Sequence, residues 1–563
     1  MSTASVLVQS LRLVWRSSPR LAVLQAVIVA MRAALPLIVL WSMGALVDAT
    51  LEAFPLLQSS LTAGLRAIAM PLSVFGVAMF GNYAVASIAD IVSEHLAENI
   101  RLRVASLTHD QMSRLSYQTL QSPQFQTEAF RAISGSTERP VRIFFAALSL
   151  LQSALTFMVL AVWMMGVAWW LPLLALVAGA PILVARLWSS RQSYDLYKAQ
   201  TVNERKMHYY NRVLTHHTFA PELRLFSIAQ YFRTAFANAR AAVVAPRLAL
   251  SRRAAVAQII ASALSTIVLL ALFVGVIALL ASTGGSIGRL AMCLMTIRRA
   301  ESAVADAAHR SVSLHSQGLY VRSLFEFLNM REPAHVVAHF PASFTAINVE
   351  GVSFRYPGSD RQAVSGVSFT VWRGQVVGIA GPNGCGKSTL AKMLCGLLRP
   401  DAGTVSVDST PIADIPPDEL SAHITAVFQD FRLYNAPADA NIHFGDYLHP
   451  LDNTRLHEAA AYADMDALIS SLPHAYNTQL GSDFPGSEMF SRGEWQRLAL
   501  ARALYSRADI LILDEAASSL DPAARQTLHR NINRLREERK TVILISHSAE
   551  TLSMADVIVR LDA

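Results

Sequence analysis

A glycine-rich loop containing a lysine and a serine lies between an apolar segment and a helical one. Residues Gly381–Ser388 read GPNGCGKS, between the strand-like segment Gln375–Ala380 and the helical run Thr389–Leu398. This order fits the phosphate-loop pattern, in which backbone N–H groups close around phosphate at a helix N-terminus. The predicted nucleotide contacts in this loop are Gly381, Pro382, Asn383, Gly384, Cys385, Gly386, Lys387, Ser388 and Thr389.

Two adjacent carboxylates follow a second apolar segment. Ala508–Leu513 is predicted to be a buried strand, and it ends at Asp514-Glu515. Lys387 of the loop would supply charge to the β- and γ-phosphates, and the Ser388 hydroxyl and Asp514 would hold magnesium. Glu515 would polarise the attacking water as a general base. The two acids could instead cap a helix, but the phosphate loop favours the catalytic interpretation.

These motifs, together with FSRGE at 490–494, resemble the nucleotide-binding domain of an ATP-binding cassette (ABC) protein, and the resemblance is dense over residues 346–563. It implies ATP and Mg²⁺ as cofactors. It also implies that Tyr356, in FRYPG, stacks on adenine and that His547, in LISHS, contacts the γ-phosphate. Gln429, in VFQDF, would read the magnesium site and touch the membrane domain. Asp521, in SSLD, would belong to a loop that crosses a dimer interface. The catalytic residues are thus predicted to be Glu515, His547 and Gln429, and the magnesium site to comprise Ser388, Gln429 and Asp514.

The segment FSRGE at 490–494 resembles the motif that this family uses as its signature, but one of its residues departs from the family pattern. The usual motif is a leucine, a serine, two glycines and a glutamine, whereas this chain has Phe490-Ser491-Arg492-Gly493-Glu494. The resemblance implies that this motif contacts the ATP held by a partner's phosphate loop, through Ser491, Gly493 and Glu494. The S-x-x-E spacing is that of a capping box, which would make Ser491 the N-cap and Arg492 the first helical residue. An arginine keeps its backbone N–H, so we expect a functional variant rather than a silent site.

The first half of the chain is predicted to lie in a membrane. The chain has 563 residues, of which 53% are hydrophobic and only 16% charged. A spanning helix needs about 20 mostly apolar residues. The segments that qualify are Leu21–Val47, Ala67–Ile91, Ile143–Leu187 (two helices, with a turn at Trp169–Pro172) and Ala254–Ala281, and a weaker sixth begins at Ile287.

Orientation follows from the distribution of lysine and arginine. The long segments Ser93–Pro140 and Ser189–Arg253 are arginine-rich and are expected to face the cytosol. The net charge of +7 is therefore attributed to cytoplasmic loops, and no nucleic-acid partner is expected. The N-terminus is predicted to be an amphipathic helix on the membrane surface. We expect a multi-pass protein of the cell inner (cytoplasmic) membrane, with its N-terminus and ATP-binding domain in the cytosol.

The predicted fold class is a membrane α-helical domain with six spans, of the exporter-type ABC arrangement, fused to an α/β P-loop nucleotide-binding domain. Residues 1–332 would form the transmembrane domain with two long cytosolic extensions, 333–345 a linker, and 346–563 the ATP-binding cassette. Tyr117–Phe130 and Phe219–Phe232 resemble coupling-helix segments, although each could be a solvated helical hairpin. The phrases VNERK, ELRLF and LFEFL resemble bacterial exporters of lantibiotic-like and other small peptides.

The resemblance implies ATP-driven export by alternating access in a dimer, and it suggests a small peptide as the cargo. One chain would be half of this machine, so a second half-transporter is an expected partner, and a homodimer is favoured over a heterodimer. Membrane lipid and the transported substrate are the other expected partners. The alternatives are a lipid or lipid-linked glycan flippase, a partly degenerate subunit of a heterodimeric exporter, and an ATP-gated channel or sensor.

Charged residues interrupt the sixth predicted span. Arg298 and Arg299 would lie roughly 16 Å into it, at 1.5 Å per residue. Charges at that depth are costly and face an aqueous cavity or a partner charge. The two arginines could therefore line a cavity for anionic cargo, or they could pair with Glu301 or Asp306. Arg32 is similarly placed in the first span.

Overall fold

The computed structural model describes residues 3–133, 137–283, 286–331, 338–516 and 522–561. It divides into two compact units. The helical unit comprises Met1–Ser113 and Glu128–Met330. The second unit comprises Arg114–Thr127 and Arg331–Ala563, so a short segment from the first half of the chain belongs to it.

Long α-helices make up the helical unit. In chain order, the helices up to Leu328 are α1 Thr3–Ser17, α2 Pro19–Ser59, α3 Leu61–Arg114, α4 Tyr117–Gln121, α5 Pro123–Ile133, α6 Glu138–Met165, α7 Leu171–Thr215, α8 Ala220–Leu225, α9 Ala229–Thr283 and α10 Ile287–Leu328. The predicted N-terminal helix is confirmed by α1. Helices α3 and α9 have 54 and 55 residues. At 1.5 Å per residue each is about 80 Å long, far more than the roughly 30 Å of hydrocarbon in a bilayer.

Five helices in the described part of the chain are long and apolar enough to cross a membrane: α2, α3, α6, α7 over Leu171–Ser193, and α9. The predicted sixth span is a continuous helix, α10, but it is not among the five. The polar residues that interrupt its apolar pattern, Arg298, Arg299, Glu301 and Asp306, account for this difference. A count of six spans therefore stays a prediction.

The core of the helical unit lies where α6, α7, α9 and α10 meet. Leu160, Leu171, Val276 and Ile297 are buried there, one from each helix. Burial of such side chains is worth roughly 1.5–3 kcal/mol each when the reference state is water. Polar contacts fix the alignment of α2 with its neighbours. One of them is the hydrogen bond from Gln25 Nε2 in α2 to Ser93 Oγ in α3 (3.1 Å).

The second unit contains two β-sheets. The antiparallel sheet has strand order β2-β1-β4-β5, and the parallel sheet has order β6-β7-β8-β3-β9. The strands are β1 Ala346–Arg355, β2 Gln362–Trp372, β3 Val376–Ala380, β4 Ala402–Val407, β5 Thr410–Pro411, β6 Ile424–Val427, β7 Ile510–Asp514, β8 Thr541–Ile545 and β9 Val557–Arg560. The strands predicted before the phosphate loop and before the two acids are confirmed as β3 and β7.

Helices cover the parallel sheet, as the continuous apolar runs of its central strands require. They are α11 Lys387–Leu394, α12 Pro417–His423, α13 Ala438–His443, α14 Asn453–Tyr462, α15 Asp466–Ser470, α16 Arg492–Tyr505, α17 Pro522–Glu537 and α18 Ala549–Leu552. Helix α11 begins two residues before the predicted run and ends four residues earlier than its predicted end, Leu398. Phe340 and Phe344, which precede β1, are buried in the core of this unit.

Candidate nucleotide-binding site

The glycine-rich loop joins the carboxyl end of β3 to the N-terminus of α11. Gly384 and Gly386 have φ values of +84° and +95°, a backbone conformation that favours glycine. A Cβ at Gly386 would lie 2.1 Å from the carbonyl oxygen of Ala363, so no side chain fits there. The loop is thereby brought close to β2, next to the start of α11, where the first N–H groups of a helix have no partner within it.

Carbonyl groups of this loop hold the side chain of Lys387 in place. Its Nζ donates hydrogen bonds to the carbonyl oxygens of Gly381 and Pro382, both at 2.9 Å. The side chain is only 6% exposed. The ammonium charge is therefore fixed at the place where the phosphate-loop interpretation requires it.

A cavity of about 470 Å³ brings ten predicted site residues together. They come from the end of β1, the loop after β3, the first turn of α11, and the segments that follow β6, β7 and β8. The lining residues are Tyr356, Ala363, Asn383, Gly384, Gly386, Lys387, Ser388, Thr389, Gln429, Glu515 and His547. The Tyr356 hydroxyl lies 3.1 Å from Thr389 Oγ1, and its ring packs edge-to-face on Phe354. Ala363 is the lining residue that the sequence motifs did not include.

Glu515 is the centre of a hydrogen-bonded cluster in this cavity. Gln429 Nε2 donates to Glu515 Oε2 at 2.7 Å, and His547 Nδ1 lies 3.4 Å from Glu515 Oε1. Glu515 has φ of +54°, which is uncommon for a residue with a side chain and is found most often at functional sites. Its N–H donates to the carbonyl oxygen of Ile545, so pairing with β8 maintains this conformation. The cluster joins the three predicted catalytic side chains.

A buried glutamine that belongs to none of the sequence motifs contacts the backbone at Glu515 and Ala516. Gln496, in α16, is buried, and its Nε2 donates to the carbonyl oxygen of Ala516 at 2.6 Å. The same atom lies 3.4 Å from the carbonyl oxygen of Glu515. It thereby ties the start of α16 to the end of β7. In the sequence, only its position two residues after Glu494, within a helical run, could have identified it.

Asp514 ends β7 and is 1% exposed. Burial raises the pKa of its carboxyl group above the ordinary value, while a hydrogen bond from the Ser388 hydroxyl opposes this rise. Among the described residues, no hydrogen-bond donor reaches Asp514 Oδ1. A buried carboxylate oxygen without a partner, next to a serine hydroxyl, matches the oxygen ligands that Mg²⁺ prefers. The donor set of Asp514 and Ser388 therefore fits the metal that the sequence predicts.

The signature segment forms the predicted helix start. Ser491 is the N-cap of α16, and its Oγ accepts a hydrogen bond from the Glu494 N–H. Glu494 Oε2 in turn accepts from the Ser491 N–H at 2.6 Å, which completes the capping box. Arg492 is exposed and Gly493 is partly exposed. The predicted capping box is therefore confirmed.

Several predicted contacts do not line the cavity. Ser491, Gly493 and Glu494 are absent from its lining, and their contact with nucleotide stays a prediction that involves a second chain. Cys385 belongs to the loop but not to the lining, whereas Gly381 and Pro382 act through the carbonyl groups that hold Lys387. Asp521 lies outside the described residues.

Comparison with known proteins agrees with this geometry. Residues 364–518 match the family model described as ABC transporter. The chain carries an ABC transporter domain. An ABC transporter domain implies ATP hydrolysis coupled to transport, as predicted for the chain.

Two relatives match this chain along most of its length. The subtilin transport ATP-binding protein SpaT of Bacillus subtilis is 26% identical over 500 residues, which are 87% of this chain and 80% of that protein. The nisin transport ATP-binding protein NisT of Lactococcus lactis subsp. lactis is 27% identical over 433 residues, 75% of this chain and 71% of that protein. The predicted resemblance to exporters of the lantibiotic type is thereby confirmed.

A third relative matches over a shorter region. An ATP-dependent lipid A-core flippase of Bordetella avium (strain 197N) is 38% identical over 217 residues, only 38% of this chain and 36% of that protein. Among solved structures, a bacterial Atm1-family ABC exporter with ATP bound has a TM-score of 0.75 at 21% identity, and covers 97% of this chain and 94% of that one. The chain therefore has the fold of an ABC exporter.

Proposed function

We propose that the chain is one half of an ATP-driven exporter that moves a small peptide across the cytoplasmic membrane by alternating access. The observation that carries this proposal is the position of Glu515, between Gln429 and His547, in the cavity lined by the phosphate loop. In this proposal the N-terminus and the ATP-binding domain lie in the cytosol.

Each side chain of the cluster has a chemical role in this proposal. Glu515 orients and polarises the water that attacks the γ-phosphate, and Gln429 holds the carboxylate in place. His547 would contact the γ-phosphate. Ser388, Asp514 and Gln429 would hold Mg²⁺, which neutralises charge on the phosphates when it is bound. Lys387 binds the β- and γ-phosphates.

The proposed active assembly is a two-fold dimer, because the chain contributes one ABC transporter domain and the start of its signature helix, at Ser491 and Arg492, is exposed. Ser491, Gly493 and Glu494 would contact the ATP held by the phosphate loop of a second copy. Closed point-group symmetry is the usual arrangement for such homo-oligomers. A heterodimer in which this chain is the weaker ATPase is the alternative.

The cargo assignment rests on how much of each relative is matched. The two lantibiotic exporters match over 87% and 75% of this chain, which includes the helical unit. The match to the lipid A-core flippase covers 38% of the chain and so says little about the helices. We therefore favour a small peptide over a lipid or a lipid-linked glycan.

The decisive experiment uses the full chain in nanodiscs with Mg²⁺ and radiolabelled ATP. Glu515→Gln should retain ATP on the protein and abolish phosphate release, because the amide cannot act as a general base. Glu537→Gln, at the exposed end of α17, is the matched control and should turn over ATP at the wild-type rate. Equal, slow phosphate release by wild type and Glu515→Gln would show that the site is silent and would favour the heterodimer.

A further inference from the structure

The helical unit contains a cavity of about 1000 Å³ between α2, α3, α9 and α10. Most of its wall is apolar, including Phe273 and Leu294. Its charged lining residues all come from one helix, α10, and they are Arg298, Arg299 and Glu301. The neutral polar side chains of Asn82 and Ser302 complete the polar part of the wall.

The single carboxylate in this cavity is already paired. Glu301 is 8% exposed, and its Oε2 accepts from Arg298 Nη1 at 3.1 Å. The Ser265 hydroxyl donates to the other oxygen at 3.3 Å. A buried carboxylate with a cation on one side and a hydroxyl on the other needs no further partner. Glu301 therefore does not compensate a second arginine.

The two arginines retain unused hydrogen-bonding capacity. The Arg298 side chain lines the cavity and is 67% exposed, although one of its nitrogens bonds Glu301. Arg299 is also exposed, and no ion pair involves it among the residues that the structure describes. Each guanidinium has five N–H donors in a planar arrangement that matches a carboxylate or a phosphate. The cavity thus presents two cations and one neutralised acid.

In the predicted six-span arrangement α10 crosses the membrane, and the depth of these charges then argues against a chance surface cluster. Arg298 and Arg299 lie roughly 16 Å from the start of α10 at Ile287. A charged side chain within a membrane helix is costly unless it faces an aqueous cavity or a partner charge. Among the described residues, Arg298 has an ion-pair partner and Arg299 has none, so the two explanations that the sequence left open apply to different residues.

We infer that this cavity binds an anionic group of the transported substrate, with Arg299 as the principal contact and Arg298 as the second. The apolar wall near Phe273 and Leu294 holds the apolar part of the same molecule. This inference rests on the proposed export function and narrows its cargo to amphiphilic anions. The cavity volume is at the upper end of the range for compact ligands. That size favours a carboxylate-bearing peptide segment over a lipid with several acyl chains.

A binding experiment without nucleotide tests this inference. The probes are a fluorescent apolar hexapeptide with two glutamates and its counterpart with two glutamines. The protein is the full chain in phosphatidylcholine nanodiscs. The wild type should bind the acidic peptide about tenfold more tightly, the value of one good charge-assisted hydrogen-bonded pair. Arg299→Gln should remove most of this preference, and Arg299→Glu should reverse it.

Two further variants separate binding from folding. Arg299→Lys keeps the charge and should keep most of the preference. Arg289→Gln, in the same helix but outside the cavity, should bind both peptides as the wild type does. Equal binding of the two peptides by the wild type would overturn the inference, and so would an undiminished preference in Arg299→Gln.

The remaining arms distinguish the ligand sources and the proposed function. Loss of peptide binding in nanodiscs that contain phosphatidylglycerol would assign the site to a lipid headgroup and overturn the peptide assignment. ATP retention by Glu515→Gln is measured on the same preparations. Because peptide binding is read without nucleotide, a silent ATP site would contradict the proposed function and leave the charge preference as a separate result.

Discussion

Arg492 shows how one residue can depart from a motif without destroying its physical basis. The helix start that would face a partner's ATP is made by Ser491 and Glu494, which form both hydrogen bonds of the capping box. Arg492 contributes a backbone N–H to the first turn of α16, and its side chain is exposed. The dipole and free N–H groups of a helix N-terminus do not depend on which residue occupies that position. A glycine is therefore not required there by helix geometry.

This argument predicts the outcome of two substitutions. Arg492→Gly should change ATP turnover by about twofold or less, as expected for an exposed residue outside the capping bonds. Ser491→Ala should lower turnover about fivefold, because loss of an N-cap costs about 1 kcal/mol. Phosphate release by the full chain in nanodiscs measures both effects. A large gain of activity in Arg492→Gly would instead mean that the arginine obstructs the site.

The sequence identified most of the candidate site because its residues belong to short motifs next to predicted strands. Lys387, Ser388, Gln429, Glu515 and His547 all reach one cavity. The contributions of Ala363 and Gln496 could not be read in this way. Each residue contacts the site from a distant part of the chain. The carbonyl oxygen of Ala363 faces Gly386. The side chain of Gln496 donates a hydrogen bond to the backbone just after β7. Neither contact is encoded by local spacing.

At the scale of elements, α2 and α10 approach each other closely near one end of the helical unit. Asp48, in α2, accepts hydrogen bonds from the Ser286 hydroxyl and from the Gly288 N–H, both at 2.7 Å. It therefore satisfies one of the unpaired N–H groups at the start of α10. Gly44 and Gly288 lie at this contact, and the absence of a side chain on each of these two residues lets the backbones approach closely.

A methyl group at Gly288 should disrupt this contact. Its Cβ would lie 2.4 Å from both the Gly44 carbonyl oxygen and Asp48 Cγ, so the helices would have to separate. We expect Gly288→Ala to lower the free energy of unfolding by about 1–3 kcal/mol, the usual cost of overpacking. Gly81→Ala in α3 is the control, because a Cβ there meets no atom within 4 Å. Thermal unfolding in detergent compares the two, and equal midpoints would contradict the prediction.

Apolar runs predicted five of the long helices well, because about 20 apolar residues have few alternatives to a membrane. The sixth was harder to predict because α10 mixes apolar positions with Arg298, Arg299 and Glu301. Periodicity cannot tell whether such a residue faces lipid, a partner charge or a cavity. The pairing of Arg298 with Glu301, and the absence of an ion pair at Arg299 among the described residues, required the three-dimensional contacts.

At the scale of the whole molecule, the chain does not divide at a single point. Helix α4 follows α3 in sequence, but it belongs to the second unit. The Tyr117 ring packs against that unit's core, with Lys392 Nζ 5.7 Å from its centroid. Gln118 Oε1 accepts a hydrogen bond from the Arg399 N–H at 3.2 Å. The sequence predicted this segment as a coupling helix; α4 packs on the second unit, and its coupling role stays a prediction.

Because α4 contacts the end of α11, and α11 begins at Lys387, any shift of α11 on ATP binding would reach the chain that connects to α3. Replacing both Tyr117 and Gln118 by alanine should therefore weaken the coupling between ATP turnover and transport. It should not impair ATP hydrolysis itself. We expect basal ATP turnover to stay within about twofold of the wild type, since neither residue lines the nucleotide cavity. Stimulation of turnover by the acidic hexapeptide, and ATP-dependent uptake of this peptide into inside-out proteoliposomes, should each fall about tenfold, because a packing contact and a hydrogen bond are lost.

Gln124→Ala, which replaces an exposed glutamine in α5, is the matched control and should leave peptide stimulation and peptide uptake unchanged. If basal turnover fell in parallel with uptake, α4 would be a structural part of the ABC transporter domain and not its link to the membrane helices.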